Sequence, residues 1–224
     1  MHGFLIFGHR GSPRRAPENT MRSFEEAFRA GADGIETDLR LLSDRTAVLY
    51  HDDELDERDI ETLSTTDFEK RGVEIARVRD LAPFAARGTL ILEVKRGKWE
   101  DTLLAEVGTW QNIVIASFDH SLIASLAARN LGINLGLTTF GSIVGMAGYA
   151  ERLEASWCFP NWRYVDQDLV ESLHARGIRV VPWTANRPRQ WERLRSVGCD
   201  GVITDVPDEA VRWRDSQPSV SATL

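Results

Sequence analysis

The sequence reads Gly31-Ala32-Asp33-Gly34-Ile35-Glu36-Thr37-Asp38 early in the chain and Gly198-Cys199-Asp200-Gly201-Val202-Ile203-Thr204-Asp205 near its end. In both copies a glycine follows a predicted helix, and residues that favour extended backbone come directly after it. The same join of helix to strand recurs at Gly88, Gly132 and Gly177. These five joins predict an α/β fold in which helices and strands alternate.

Nine segments are predicted to be strands, with helices in most of the gaps. They are 4–8, 34–39, 47–51, 89–94, 113–117, 134–138, 156–159, 179–184 and 201–204. This alternation fits a (β/α)8 TIM barrel or a doubly wound open sheet. We favour the barrel, because Gly8-His9-Arg10-Gly11 has bulky charged groups where a dinucleotide-binding sheet needs glycines.

Nine strands are one too many for this barrel. The gap between Leu39 and Ala47 is too short for a crossover helix. We therefore predict that the barrel is distorted near its second and third strands, or that one candidate is not a barrel strand.

Length and composition bound the kind of protein. The chain has 224 residues and is 42% hydrophobic, which suits one domain, predicted over 1–213. Residues 214–224 are polar and are predicted to be a flexible C-terminal tail. The formal charge of -7 argues against nucleic-acid and anionic-membrane partners. The absence of a long apolar segment or a signal-like N-terminus predicts a cytoplasmic protein without a membrane span, and its oligomeric state stays open.

Three carboxylates are candidate metal ligands. Glu36 and Asp38 lie two residues apart on a predicted strand, so their side chains share one face. They would repel each other there unless a cation lay between them, and carboxylate oxygens suit Mg²⁺ or Ca²⁺. Glu93 ends another predicted strand and adds a third carboxylate. Salt bridges at the barrel rim are the alternative interpretation.

Two histidines and two cations complete the candidate site. His9 and His51 each end a predicted strand, and the pKa of a histidine suits proton transfer near neutral pH. Arg10 offers a planar fork and Lys95 a point charge to a phosphate, although both could instead pair with the carboxylates. Trp183 follows a late strand and either walls the substrate pocket or belongs to the core.

The segment after the first histidine, Pro17-Glu18-Asn19-Thr20, looks like the start of a helix. Either Asn19 or Thr20 is predicted to be its N-cap, because short polar side chains accept hydrogen bonds from the first helical N–H groups. We predict a capping role for this pair and no chemistry.

Taken in order, these motifs resemble the glycerophosphodiester phosphodiesterase family. The resemblance rests on His9-Arg10-Gly11, 17–20, 34–38, His51-Asp52, 92–95, 117–118, 183–186 and 200–205. It implies a TIM barrel of the phospholipase-C-like type and one divalent cation on Glu36, Asp38 and Glu93. It also implies a proton-transfer pair at His9 and His51, and hydrolysis of glycerophosphodiesters to an alcohol and glycerol 3-phosphate. By analogy with phospholipase-C-like enzymes, His9 is the base and His51 the acid, although the sequence does not fix that order.

One segment departs from the family pattern. Residues 53–81 are compact and acidic where relatives have a longer insertion, so this segment is expected to cover the pocket. Such a cover would favour small soluble diesters whose alcohol is positively charged.

Two other functions are alternatives. A lysophospholipase-D-like lipid phosphodiesterase would need an apolar rim or amphipathic helix, and no such stripe is evident in the sequence. A non-catalytic glycerophosphate-binding barrel would be expected to lose a histidine or carboxylate that this chain retains.

Overall fold

Parallel strands surround the centre of the molecule in the computed structural model, which describes residues 3–217. The strands are β1 (Leu5–His9), β2 (Gly34–Leu41), β3 (Ala47–Leu49), β4 (Glu54–Leu55), β5 (Arg58–Asp59), β6 (Thr89–Val94), β7 (Ile113–Ser117), β8 (Asn134–Thr139), β9 (Trp157–Pro160), β10 (Arg179–Val180) and β11 (Gly201–Thr204). The helices are α1 (Met21–Arg29), α2 (Thr65–Arg71), α3 (Glu100–Val107), α4 (His120–Ala127), α5 (Met146–Arg152), α6 (Gln167–His174), α7 (Pro188–Ser196) and α8 (Pro207–Ser216). Short 3₁₀ helices cover Ile60–Thr62, Val78–Phe84 and Trp162–Tyr164.

The strands follow the order β10-β9-β8-β7-β6-β2-β1-β11, with parallel neighbours throughout. Backbone hydrogen bonds join the two ends, from Asp200 N to the Val180 carbonyl and from Ile203 N to the Pro182 carbonyl, both at 2.9 Å. The predicted strand 179–184 is shorter here, because Pro182 has no N–H to donate to a ladder. The predicted (β/α)8 barrel is confirmed.

The ninth predicted strand is not a barrel strand. β3 pairs antiparallel with the end of β2, with Leu49 opposite Leu39, and lies off the barrel path. The distortion predicted at this point is therefore a hairpin built on β2, which continues beyond the barrel.

Strand alternation separates the apolar and charged parts of the barrel interior. Phe7 and His9 point to the same side of β1, and Ile91 and Glu93 to the same side of β6. Phe7 and Ile91 belong to a buried cluster that includes Trp157, whose ring meets that of Phe7 edge to face at 6.0 Å. The apolar side chains thus form a floor below the charged residues at the carboxyl ends of the strands.

The segment after β3 packs with the β2–β3 hairpin around a second, small core. Val48, Ile60, Leu63 and Phe68 are fully buried together with Leu42. Within it, α2 begins with a capping box between Ser64 and Asp67 and ends at Gly72, which has a left-handed φ of 64°. The segment is therefore a packed unit beside the barrel.

The end of the chain is ordered further than predicted. α8 continues to Ser216, and Arg214 Nη1 lies 2.6 Å from Asp33 Oδ2, so the prediction of a tail beginning at 214 is wrong for its first residues. The rest of the predicted tail, 218–224, lies outside the described residues. The division into one domain over 1–213 stays a prediction.

Among residues 3–217 the longest helix, α8, has 10 residues, and none has the length and apolar content of a bilayer-crossing span.

Candidate active site

Three buried carboxylates meet at the carboxyl ends of β2 and β6. Oxygen atoms of Glu36, Asp38 and Glu93 lie within 4.8 Å of one another. The sheet register produces this contact, since Asp38 stands opposite Glu93 on the neighbouring strand. All three side chains are buried, so water screens their charges only weakly.

Burial and mutual repulsion alter the ionisation of this cluster. Burial, followed by the charge of Asp38, raises the pKa of Glu36 to about 8. Burial also favours the neutral form of Asp38, but the charges of Lys95 and Arg10 outweigh it and lower the pKa of Asp38 below its ordinary value. The protein's own cations therefore compensate Asp38 but leave Glu36 short of positive charge.

The two cations form an ion-pair network with these carboxylates. Lys95 Nζ lies 2.7 Å from Asp38 Oδ1 and also contacts Glu93. Arg10 Nε lies 3.3 Å from Asp38 Oδ2, and Arg10 Nη1 donates to Glu18 at 2.8 Å. The pairing considered as the alternative for these side chains is present, and their binding of phosphate stays a prediction.

His9 is held by a carboxylate that we did not single out from the sequence. His9 Nδ1 lies 2.6 Å from Asp205 Oδ1, while His9 Nε2 faces Glu36 Oε2 at 3.9 Å. Burial lowers the pKa of His9, but the hydrogen bond to Asp205 and the charge of Glu36 outweigh burial and raise the pKa above 6.5. Asp205 thus orients the ring with Nε2 towards the carboxylates.

Asparagines hold both aspartates in the same way. Asn19 Nδ2 donates to Asp38 at 2.9 Å, and Asn19 Oδ1 accepts from the Thr37 hydroxyl at 2.7 Å. Asn186 Nδ2 likewise donates to Asp205 at 2.5 Å, and its Oδ1 accepts from the Thr204 hydroxyl at 3.0 Å. In each copy of the repeated Thr-Asp, one asparagine therefore binds both the threonine hydroxyl and the aspartate carboxylate. We call this arrangement a clamp.

The helix cap and the clamp are separate roles. Thr20 is the N-cap of α1, and its side chain accepts a hydrogen bond from Ser23 N. It was one of the two residues predicted for this role. Asn19 is buried and takes a left-handed φ of 55°, which directs its amide to Asp38. The prediction that this pair has only a capping role is wrong for Asn19. The echo between Asp38 and Asp205 in the sequence was the signal that could have identified Asp205.

One cavity, which we call the central cavity, brings the predicted residues together. It has a volume of about 280 Å³. Its lining includes all eight predicted site residues, His9, Arg10, Glu36, Asp38, His51, Glu93, Lys95 and Trp183. His51 lies at its edge, with the side chain 36% exposed and Nδ1 2.8 Å from Asp52 Oδ1.

No residue of 53–81 lines the central cavity, so the expected acidic cover is not part of its wall.

The donor set fits a hard divalent cation. Three carboxylates converge, no cysteine or histidine belongs to the cluster, and such oxygen ligands are those that Mg²⁺ and Ca²⁺ prefer. The raised pKa of Glu36 also indicates a place where more positive charge would be stabilising.

Comparison with known proteins identifies the family. The model of the glycerophosphoryl diester phosphodiesterase family matches residues 9–82 and 89–209. The chain belongs to this family. Glycerophosphoryl diester phosphodiesterases are divalent-metal-dependent hydrolases of phosphodiesters, so this chain is a phosphoric diester hydrolase and the non-catalytic alternative is wrong.

Relatives of the same family resemble the chain along nearly its whole length. A glycerophosphodiester phosphodiesterase from Caldanaerobacter subterraneus is 26% identical, with 92% of this chain and 96% of that protein aligned. A human lysophospholipase D is 26% identical, with 96% of this chain and 86% of that protein aligned. The solved structure of an Oleispira antarctica phosphodiesterase in complex with the product sn-glycerol-3-phosphate has a TM-score of 0.85 and 22% identity, covering 95% of this chain and 97% of that one.

Proposed function

We propose that the chain hydrolyses glycerophosphodiesters to an alcohol and glycerol 3-phosphate with one divalent cation, Mg²⁺ or Ca²⁺. Glu36, Asp38 and Glu93 would hold the cation. The observation that carries the proposal is the central cavity, where these carboxylates stand beside two histidines. Its substrate is a small molecule, and the cytoplasmic location expected from the sequence stays a prediction.

The cation, when bound, would neutralise charge on the phosphoryl group and lower the pKa of a hydroxyl near it. The chain's own residues supply the rest. Arg10 and Lys95 line the same cavity and are proposed to bind the phosphate oxygens. To bind the substrate phosphate, Lys95 would give up part of its ion pairing with Asp38 and Glu93.

His9 and His51 are proposed to move the protons. In the first step one ring takes the proton of the substrate's 2-hydroxyl as its oxygen attacks phosphorus, and the other ring protonates the departing alcohol. Water then opens the cyclic phosphate, and the two rings reverse their roles. Asp205 prepares His9 for this by binding Nδ1, so that Nε2 is the atom that exchanges the proton.

Release of glycerol 3-phosphate from glycerophosphocholine and glycerophosphoglycerol tests the proposal. His9→Ala and His51→Ala should each lose on the order of 10²-fold or more in kcat, because each removes a proton-transfer group. His174→Ala is the matched control, since His174 lies in α6 and pairs with Asp200 outside the central cavity. Near-normal turnover of His51→Ala would assign His51 a structural role.

Apolar side chains at the cavity mouth favour a second candidate, hydrolysis of a lysophospholipid. Phe118 is 45% exposed and Phe140 is 64% exposed, and both rings contact Trp183, at 5.5 and 6.1 Å between centroids. Such a rim could take an acyl chain. It comes from two separate loops, which is why no apolar stripe was evident in the sequence. If this candidate holds, lysophosphatidylcholine should be the better substrate and Phe140→Ser should lower its kcat/KM selectively.

A further inference from the structure

We infer that a groove beside the central cavity binds a second phosphate, carried by the alcohol part of the substrate. We call it the arginine groove, because its wall includes Arg14, Arg15, Arg163, Arg187 and Arg189. The inference rests on the proposed function and names the class of diester that this site would prefer.

The arginine groove is positive although the molecule is not. Its five arginines face two carboxylates, Asp208 and Glu209, whereas the whole chain has a net charge of -7. A local excess of one sign in a concave surface concentrates the field and attracts ions of the opposite sign. The position of the positive charge therefore matters more for the ligand than the net charge does.

Most of these guanidinium groups are not neutralised by the protein, although that of Arg163 lies over the Trp162 ring, 5.2 Å from its centroid. Arg15 pairs with Asp208 at 2.5 Å. Within residues 3–217, Arg14, Arg163, Arg187 and Arg189 have no carboxylate within ion-pair distance, and all four are exposed. Like charges held near one another without counterions repel, so a bound anion would relieve this repulsion.

The groove comes from three separate loops at the carboxyl ends of the strands. Arg14 and Arg15 follow β1, Arg163 follows β9, and Arg187 and Arg189 lie at the start of α7. Catalytic and binding groups of this barrel type collect at that end. Guanidinium groups on several loops can bind different oxygens of one phosphate.

The arginine groove and the central cavity are adjacent. Trp183 and Thr184 line both. The central cavity, at about 280 Å³, is smaller than most sites for drug-sized ligands. It can enclose a glycerophosphate, but a bulky alcohol must extend beyond it. The arginine groove, of about 1030 Å³, lies on the side of the central cavity formed by Trp183 and Thr184.

This arrangement opposes the preference for cationic alcohols expected from the acidic segment 53–81. Segment 53–81 is absent from the walls of both spaces, whereas arginines form the wall on the side of Trp183. A choline group would meet like charge there. A phosphorylated alcohol would meet opposite charge.

A matched pair of substrates tests the inference on the enzyme with Mg²⁺. The diesters are glycerophosphoinositol and glycerophosphoinositol 4-phosphate, which differ by one phosphate. At low salt we expect kcat/KM for the phosphorylated diester to be at least about tenfold higher, and we expect 0.5 M salt to reduce this ratio, since salt screens exposed charges.

Substitutions locate the effect. The double variant Arg187→Gln, Arg189→Gln should lower kcat/KM for the phosphorylated diester about tenfold more than for its partner. The control Lys70→Gln, Arg79→Gln removes the same charge from exposed positions outside the groove and should keep the parental ratio. Equal kcat/KM for the two diesters would overturn the inference about the groove. So would an equal loss, in both double variants, of the preference for the phosphorylated diester. Neither result would affect the proposed function. Failure to hydrolyse both of these diesters and glycerophosphoglycerol would overturn the proposed function as well.

Discussion

At the scale of single residues, the site depends on how carboxylates are held. Asp38 and Asp205 end equivalent stretches of a repeated sequence, and each is fixed by an asparagine from a preceding loop. Asn186 also accepts a hydrogen bond from Asp205 N at 2.8 Å, so backbone and side chain are fixed together. Because Asp205 in turn binds His9, Asn186 acts on the histidine through a carboxylate. Residues that hydrogen-bond to a functional side chain commonly orient it in this way.

Asn186→Ala should therefore disturb proton transfer without removing a proton-transfer group. Burial favours the neutral form of Asp205, but hydrogen bonds from His9 and Asn186 lower its pKa. Without Asn186 the carboxylate can rotate away from His9. Because the hydrogen bond to Asp205 raises the pKa of His9, its loss lowers that pKa, and the pH–rate limb that reports His9 moves to lower pH. We expect kcat to fall about tenfold. Asn134→Ala, at the other end of the barrel, is the control; an unmoved limb would contradict the role assigned to Asn186.

Glu36 should make the metal-free protein less stable as the pH rises. Its pKa is about 8 in the folded state, against an ordinary value of 4.5, because burial and Asp38 oppose its ionisation. The unfolded chain therefore loses this proton first, and the contribution to stability is present below about pH 4.5 and is lost as the pH rises through about 8. Each pKa unit corresponds to about 1.4 kcal/mol.

Glu36→Gln should accordingly gain stability relative to the parent between these pH values. The free energy of unfolding in urea with a chelator present measures the difference. Added Mg²⁺ should stabilise the parent more than the variant, because a ligand that binds only the folded state raises stability. Parallel pH dependences of the two proteins would show that Glu36 is not the titrating group.

At the scale of elements, the sequence predicted the barrel strands well and the elements of the segment after β3 poorly. The strands 89–94, 113–117 and 201–204 agree at both ends, because glycine joins and buried apolar runs mark them. β4 and β5 were missed, since two-residue strands show no alternation. The turn between them has positive φ at Asp56 and Glu57. Asn-Gly is the usual sequence signal of such a turn, and it is absent here.

The segment after β3, with the small core that includes Ile60, Leu63 and Phe68, should unfold separately from the barrel. Phe68 is fully buried in its small core, so Phe68→Ala should cost about 3 to 5 kcal/mol of local stability. Hydrogen exchange should then accelerate in α2 and the flanking turns while β6 and β7 stay protected. Phe7→Ala is the control, because Phe7 lies in the barrel floor and should expose the barrel strands. Equal acceleration in both regions for Phe68→Ala would make the two parts one cooperative unit.

At the scale of the whole molecule, the site joins the two ends of the chain. His9 and Asp205 are 196 residues apart in sequence, yet β1 and β11 are neighbours in the barrel. The candidate residues could be named from the sequence because each follows a strand, and parallel barrel strands place such residues at one end. The pairing of each aspartate with its asparagine, the arginine groove and the apolar rim could not be predicted, because each depends on which loops meet after the barrel closes.

Dependence of glycerol 3-phosphate release on a divalent cation tests the central claim most directly. Turnover of glycerophosphoglycerol should cease in excess chelator and return with Mg²⁺ or Ca²⁺, because Glu36, Asp38 and Glu93 lie within 4.8 Å of one another and are proposed to share one cation. Glu93→Gln should need a higher cation concentration for half-maximal activity. Full turnover in excess chelator, or an unchanged cation requirement in Glu93→Gln, would contradict the account.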